Sequence, residues 1–134
     1  MSAISTEDLT QRFYSDLWNR WDTSAAPAIL GPDFRFRGSL GAETRGIDGF
    51  LTYVATIRDA FPDFTNTIET LITDGDQAAA RLTYTGTHSG QILGFSPTGK
   101  VIRYSGAAFF FAKDDLLRSA WVLGDLDALK RQLA

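Results

Sequence analysis

The chain from Pro62 onward most narrows what this sequence can fold into. It runs FTNTIETLIT, DGD, QAAARLTYTGTH, SGQILGFSPTGK, VIRYSGAAFFFA, KDD and LLRSAWVLG. In four of these stretches polar and apolar residues alternate, which predicts strands with one buried face. DGD and KDD read as turns and SGQILGFSPTGK as a longer loop, so the strands form an antiparallel meander. A one-faced sheet has to be covered by another layer.

The first half supplies that cover. A helix starts near Ser5, with Ser5 or Thr6 as cap and Glu7 and Asp8 in its first turn. Leu9, Phe13, Leu17 and Trp21 recur every four residues, and Tyr14 and Trp18 widen that apolar face. A second short helix is expected over Thr23 to Leu30, ended by Gly31-Pro32. DFRFRG reads as a strand and SLGAETRG as a loop. From Ile47 the residues Phe50, Val54, Ile57 and Phe61 share a helix face that Pro62 terminates. The tail DLDALKRQLA reads as a helix with Asp125 as N-cap. The pattern predicts one α+β domain spanning 1–134, with helices packed on one face of a curved, mainly antiparallel sheet.

Alternation assigns faces. In QAAARLTYTGTH the set Ala78, Ala80, Leu82, Tyr84, Gly86 and His88 is the more apolar and is expected inside. In LLRSAWVLGD the bulky set is Leu117, Ser119, Trp121, Leu123 and Asp125, so Trp121 and Asp125 are expected inward as well.

Composition removes several function classes. The 134 residues hold no cysteine and one histidine, which excludes disulfides, thiolate chemistry and a two-histidine metal site within the chain. A net charge of −3 without a basic block argues against nucleic-acid binding. The apolar run AAFFFA is too short to span a bilayer, and the polar, acidic start MSAISTEDLT is no signal peptide. Cytoplasm is the expected compartment. PTGK is no phosphate loop, because Val101 follows Lys100 where Ser or Thr is required.

Taken in order, LGPDFRFRG, GIDGFLTYVATIRDAFPDF, ITDGDQAAARLTYTGTHSG, LGFSPTGK and WVLGDLDALKRQL resemble the SnoaL-like polyketide cyclases of the NTF2-like superfamily. The resemblance implies a cone-shaped barrel around an apolar pocket, a homodimer built on the sheet, and no cofactor. It also implies acid/base chemistry of the aldol type on a small hydrophobic, polyketide-like carbonyl compound, with an aspartate and a nearby histidine. Other relatives hydroxylate, isomerise or hydrolyse epoxides. Many relatives carry a histidine where this chain has Arg37. The cyclases' aspartate matches either Asp125 or a position on VIRYSG, which here offers Arg103 and Tyr104 and no acid.

His88 is the first candidate for acid/base, because imidazole titrates near neutrality; the bland alternative is a strand-end histidine bonded to the next loop. Asp125 is its candidate partner, or simply a helix cap. The pocket candidates are Tyr14, Trp18, Arg37, Phe50, Phe61, Tyr84, Tyr104 and Trp121. Most of these aromatics serve as core by default, and Arg37 as a solvated strand residue. A non-catalytic binder, a filled dimerisation module and a water-using ester or epoxide hydrolase stay open beside the cyclase reading.

Overall fold

The computed structural model describes residues 4–134, so the first three residues of the stretch MSAISTEDLT lie outside it. Ser5 caps α1 (Thr6–Arg12), its hydroxyl accepting from the Asp8 amide at 3.0 Å. The helix then widens into π-helical turns over Phe13–Asn19, marked by the bond from Arg20 N–H to Ser15 O. Wider turns keep residues four apart on one side, so Leu9, Phe13 and Leu17 stay buried together with Tyr14 and Trp18. Trp21 does not continue the face. It leaves the helix with φ of 54° and meets Arg58, 5.5 Å from its ring.

A short turn and α2 (Ala26–Ile29) lead directly into β1 (Leu30–Arg37). Gly31-Pro32 therefore lies inside a strand rather than ending a helix. The register against the neighbouring strand shifts between Leu30 and Arg35, and such irregularities tolerate a proline without an amide proton. The loop expected over SLGAETRG contains the short strand β2 (Glu43–Arg45), paired with Arg35–Arg37. Next come α3 (Gly46–Ala60), β3 (Thr65–Asp74), β4 (Gln77–Thr87), β5 (Val101–Lys113), β6 (Leu116–Gly124) and α4 (Leu126–Leu133).

The fold is α+β, with one curved six-stranded sheet in the order β2-β1-β6-β5-β4-β3. β1 and β6 run parallel, and every other neighbouring pair is antiparallel. The sheet does not close, so the barrel expected from the resemblance is an open one. Inner-face alternation holds in β4 and β5: Ala78, Ala80, Leu82, Tyr84, Ile102, Tyr104, Ala108 and Phe110 are buried.

In β6 the expectation fails. The pairs Phe111↔Ser119 and Ala112↔Leu117 leave Arg118 as an extra residue, a β-bulge that switches faces along the strand. Leu117 is buried before the bulge, and Ala120 and Val122 after it. Trp121 and Leu123 consequently point outward, 46% and 51% exposed, and Asp125 follows them to solvent.

Phe50 sits at the centre of the core. Its ring lies 4.8 Å from Phe36, 5.2 Å from Phe13 and 5.5 Å from Phe34, so helix α1, helix α3 and strand β1 meet on it. We expect Phe50→Ala to cost about 3–5 kcal/mol in urea unfolding. Phe109→Ala, on the open outer face, should cost less than about 1 kcal/mol.

Candidate active site

Between the first helix, α3 and the inner sheet face lies a pocket whose walls are mostly aromatic. Phe13, Tyr14 and Trp18 come from the first helix, Tyr53 and Ile57 from α3, and Phe36 and Ser39 from β1 and the residues after it. Phe64, Asn66, Tyr84 and Val122 complete the lining. Its free volume is about 20 Å³, room for roughly one water molecule. A multi-ring ligand does not fit this volume unless the wall opens.

The polar atoms of this wall are neutral. Burial pushes the Tyr14 phenol well above its ordinary value, with Tyr84 adding to the effect. Burial also raises Tyr84, assisted by Tyr104 and Tyr53. Tyr104, just behind, is raised by burial while hydrogen bonding to Ser39 pulls the other way. Tyr53 is raised by burial against the pull of Ser39 and of the Leu40 amide, which donates to its oxygen at 3.4 Å. At neutral pH all four are therefore protonated donors. Two glycines make room for them: a Cβ on Gly38 would collide with the Tyr53 phenol, and one on Gly106 with that of Tyr84. Tyr14 Oη is buried with no hydrogen-bond partner. Asn66, which β3 contributes to the wall, is locked by Asn19, whose Oδ1 accepts from its backbone amide at 2.8 Å.

Of the sequence candidates, Tyr14, Trp18 and Tyr84 line this pocket. Phe50, Phe61 and Tyr104 are buried in the layer around it. Arg37 and Trp121 sit together on the outer face, the guanidinium 5.0 Å from the indole and donating to Val122 O. Tyr53 was legible: with Phe50, Val54 and Ile57 it completes an i, i+3, i+4, i+7 face of α3. Ser39 carried no such signal, since it follows the strand in a glycine-rich turn.

His88 is completely buried, with its ring 5.7 Å from Phe61. Phe61 in turn lies 5.8 Å from the wall residue Phe64, so two rings, Phe61 and Phe64, stand between the imidazole and the pocket. Nδ1 accepts from the Thr98 amide at 3.1 Å and lies 2.9 Å from the Thr98 hydroxyl. That contact places the proton of the neutral ring on Nε2, which has no partner. The backbone of His88 binds the same loop on both sides, its N–H to Lys100 O and its C=O from Gly99 N–H.

Asp125 caps α4, accepting from the Ala128 amide at 3.1 Å. Its own amide pairs with Ser105 of β5, whereas that of His88 pairs with Lys100, five residues earlier and just before β5 begins. This is a separation of roughly 17 Å along the strand, with one side chain inward and the other in solvent. The two do not share a site. Among the described residues no cluster of three His, Asp or Glu side chains is arranged for a metal ion. No helix there is long and apolar enough to cross a membrane.

The family model for SnoaL-like polyketide cyclases matches residues 8–133. The chain belongs to this family. No curated protein matches the sequence significantly. Among solved structures, a candidate polyketide cyclase from Acidithiobacillus ferrooxidans is 28% identical with a TM-score of 0.83, over 99% of this chain and 97% of that one. TsrD from Streptomyces laurentii is 29% identical with a TM-score of 0.84, over 96% and 93%. A SnoaL-like protein from Jannaschia sp. CCS1 has a TM-score of 0.88 at 20% identity, over 99% and 95%, and speaks for the fold alone.

The family motifs converge on one junction beside the pocket. Asp63 of AFPDF accepts from the Thr87 amide and hydroxyl, both at 2.7 Å, which holds its carboxyl below the usual range. Ala60 O accepts from the amides of Ser89 and Gly90 in GTHSG, and PTGK closes on His88. We expect His88→Ala to destabilise by about 2–4 kcal/mol, through the cavity and the orphaned Thr98 amide. His88→Asn, which keeps an acceptor near the Nδ1 position, should lose less, with both measured by denaturant unfolding.

Proposed function

We propose that the chain is a cofactor-free acid/base enzyme, cyclase- or isomerase-like, acting on a hydrophobic, polyketide-like carbonyl compound in the inner pocket. The observation that carries the reading is an apolar cavity with neutral phenols in its wall, one of which, Tyr14, has an unclaimed hydroxyl. Aldol-type chemistry removes a proton alpha to a carbonyl, and negative charge then grows on the oxygen. Fixed neutral donors in a dry site stabilise that charge as it develops and cost little in the ground state. Tyr14 and Tyr84 take the donor role in this proposal. Imidazole has the pKa suited to moving the proton in both directions, and His88 is the one imidazole of the chain. It takes the acid/base role in a state where Phe61 and Phe64 have both turned aside. Asp125 is read as the cap of α4, and no proton passes through it.

A second reading has its own support. No carboxylate and no imidazole lines the pocket, and its free volume is small. A non-catalytic binder or filled module of the same fold would look this way. Hydrogen–deuterium exchange at the alpha carbon of 2-tetralone in D2O, followed by NMR, separates the readings. The enzyme reading expects acceleration over buffer, a fall of about 10²-fold in Tyr14→Phe, and loss of most of the acceleration in His88→Gln. Exchange no faster than in buffer leaves the binder.

The resemblance also implies a homodimer through the sheet, and we adopt it as a proposal. Phe109, Phe111, Trp121 and Leu123 are exposed large hydrophobics on the outer face, with Phe109 and Trp121 rings 6.1 Å apart. Exposed clusters of this kind mark interaction surfaces. Light scattering after size exclusion should give twice the 14.7 kDa chain mass, and Phe109→Ser with Leu123→Ser should shift it to monomer. A wild-type monomer at all concentrations would refute the dimer.

A further inference from the structure

The outer face holds a second and much larger concavity, about 570 Å³, where β2, β1 and β6 lie side by side. Its charged residues come from two successive cross-strand pairs. Arg35 stands directly opposite Arg45, and Arg37 opposite Glu43. Like charges facing each other across a strand pair destabilise it. Among the described residues no ion pair links any of the three arginines to a carboxylate, Glu43 included. Three positive charges against one negative leave the groove at +2. Arg37 is also fixed in place, held by Val122 O and by the indole of Trp121, which forms the apolar wall.

We propose that this groove binds a planar organic anion, an aryl carboxylate or aryl phosphate. Its ring would lie against Trp121 and the Arg37 plane, and its acid group would sit between Arg35 and Arg45. Guanidinium forks match both acid groups with paired hydrogen bonds. The volume falls within the range of small-molecule sites. A neutral hydrophobe would leave the opposed arginines without countercharge, and an inorganic anion would leave the indole bare. The site lies on the face opposite the aromatic pocket and does not depend on the reading of that pocket, but it shares Trp121 with the outer cluster assigned above to the dimer, so the two proposals compete for that indole.

Calorimetric titration of the full chain with 1-naphthoate and with 1-naphthyl phosphate tests it. 1-Naphthylmethanol and inorganic phosphate serve as comparisons, and light scattering is run on the same samples. We expect one site per chain for the naphthalene acids, the tighter of the two telling carboxylate from phosphate. Affinity should fall at least tenfold in Arg35→Gln/Arg45→Gln and weaken with added salt. The double variant should melt no lower than wild type, because it removes a like-charge pair. Equal affinity in the double variant, or naphthylmethanol binding as tightly as the acids, would overturn the assignment. So would absence of acid binding, including absence in a dimer that covers this face.

Discussion

Everything in this molecule follows from the fact that its helices cover one face of the sheet and leave the other open. Alternation then becomes a commitment: each strand residue is either core or surface, and a single inserted residue exchanges the two sets. Arg118 is that residue in β6. Ahead of it Leu117 is buried; beyond it Val122 enters the pocket wall while Trp121 and Leu123 turn outward. The outward turn of Trp121 and Leu123, and with it the Arg37–Trp121 contact, are consequences of one bulge. A straight β6 would instead have driven an indole into a pocket whose free volume is already about that of one water.

Much of this was legible before the structure. Hydrophobic period gave the α+β class, the four-strand meander and the inward side of β4, including Tyr84 and His88, because those segments are long and regular. Asp125 as a cap was legible from its place between Gly124 and the terminal helix. The misses have a common cause. Bulges, the strand β2 and the strand run through Gly31-Pro32 are set by pairing with a distant neighbour, and nothing local encodes the partner. The wide turns over Phe13–Asn19 explain why a four-residue repeat kept its apolar face, yet the same repeat fits an ordinary helix.

AFPDF, GTHSG and PTGK, on which the resemblance rests, hold a junction together, and of their residues only Phe64 lines the pocket. AFPDF contributes Asp63 to Thr87, GTHSG contributes His88, and PTGK contributes the amide that fixes its ring. The close approach is severe at Gly90, where a Cβ would collide with the Asp59 carbonyl. These residue types are required by geometry whatever chemistry the pocket performs, so a motif can be diagnostic of a fold and silent about its reaction. The pocket itself is written in ordinary core residues, aromatic side chains that no motif distinguishes from packing.

That ordinariness has a chemical meaning. A buried site with ionised groups carries their desolvation cost before any substrate arrives, whereas neutral phenols carry little. Burial that raises the Tyr14 and Tyr84 phenols keeps them as donors across the whole physiological range. Such a wall favours a ligand that is neutral on entry and becomes anionic, with the charge spread over oxygen and carbon, only as it reacts. It disfavours ligands that arrive charged. The two concavities of this chain are thus chemically opposite: the inner one is lined by neutral groups, and the outer one, with three arginines against Glu43, is net positive.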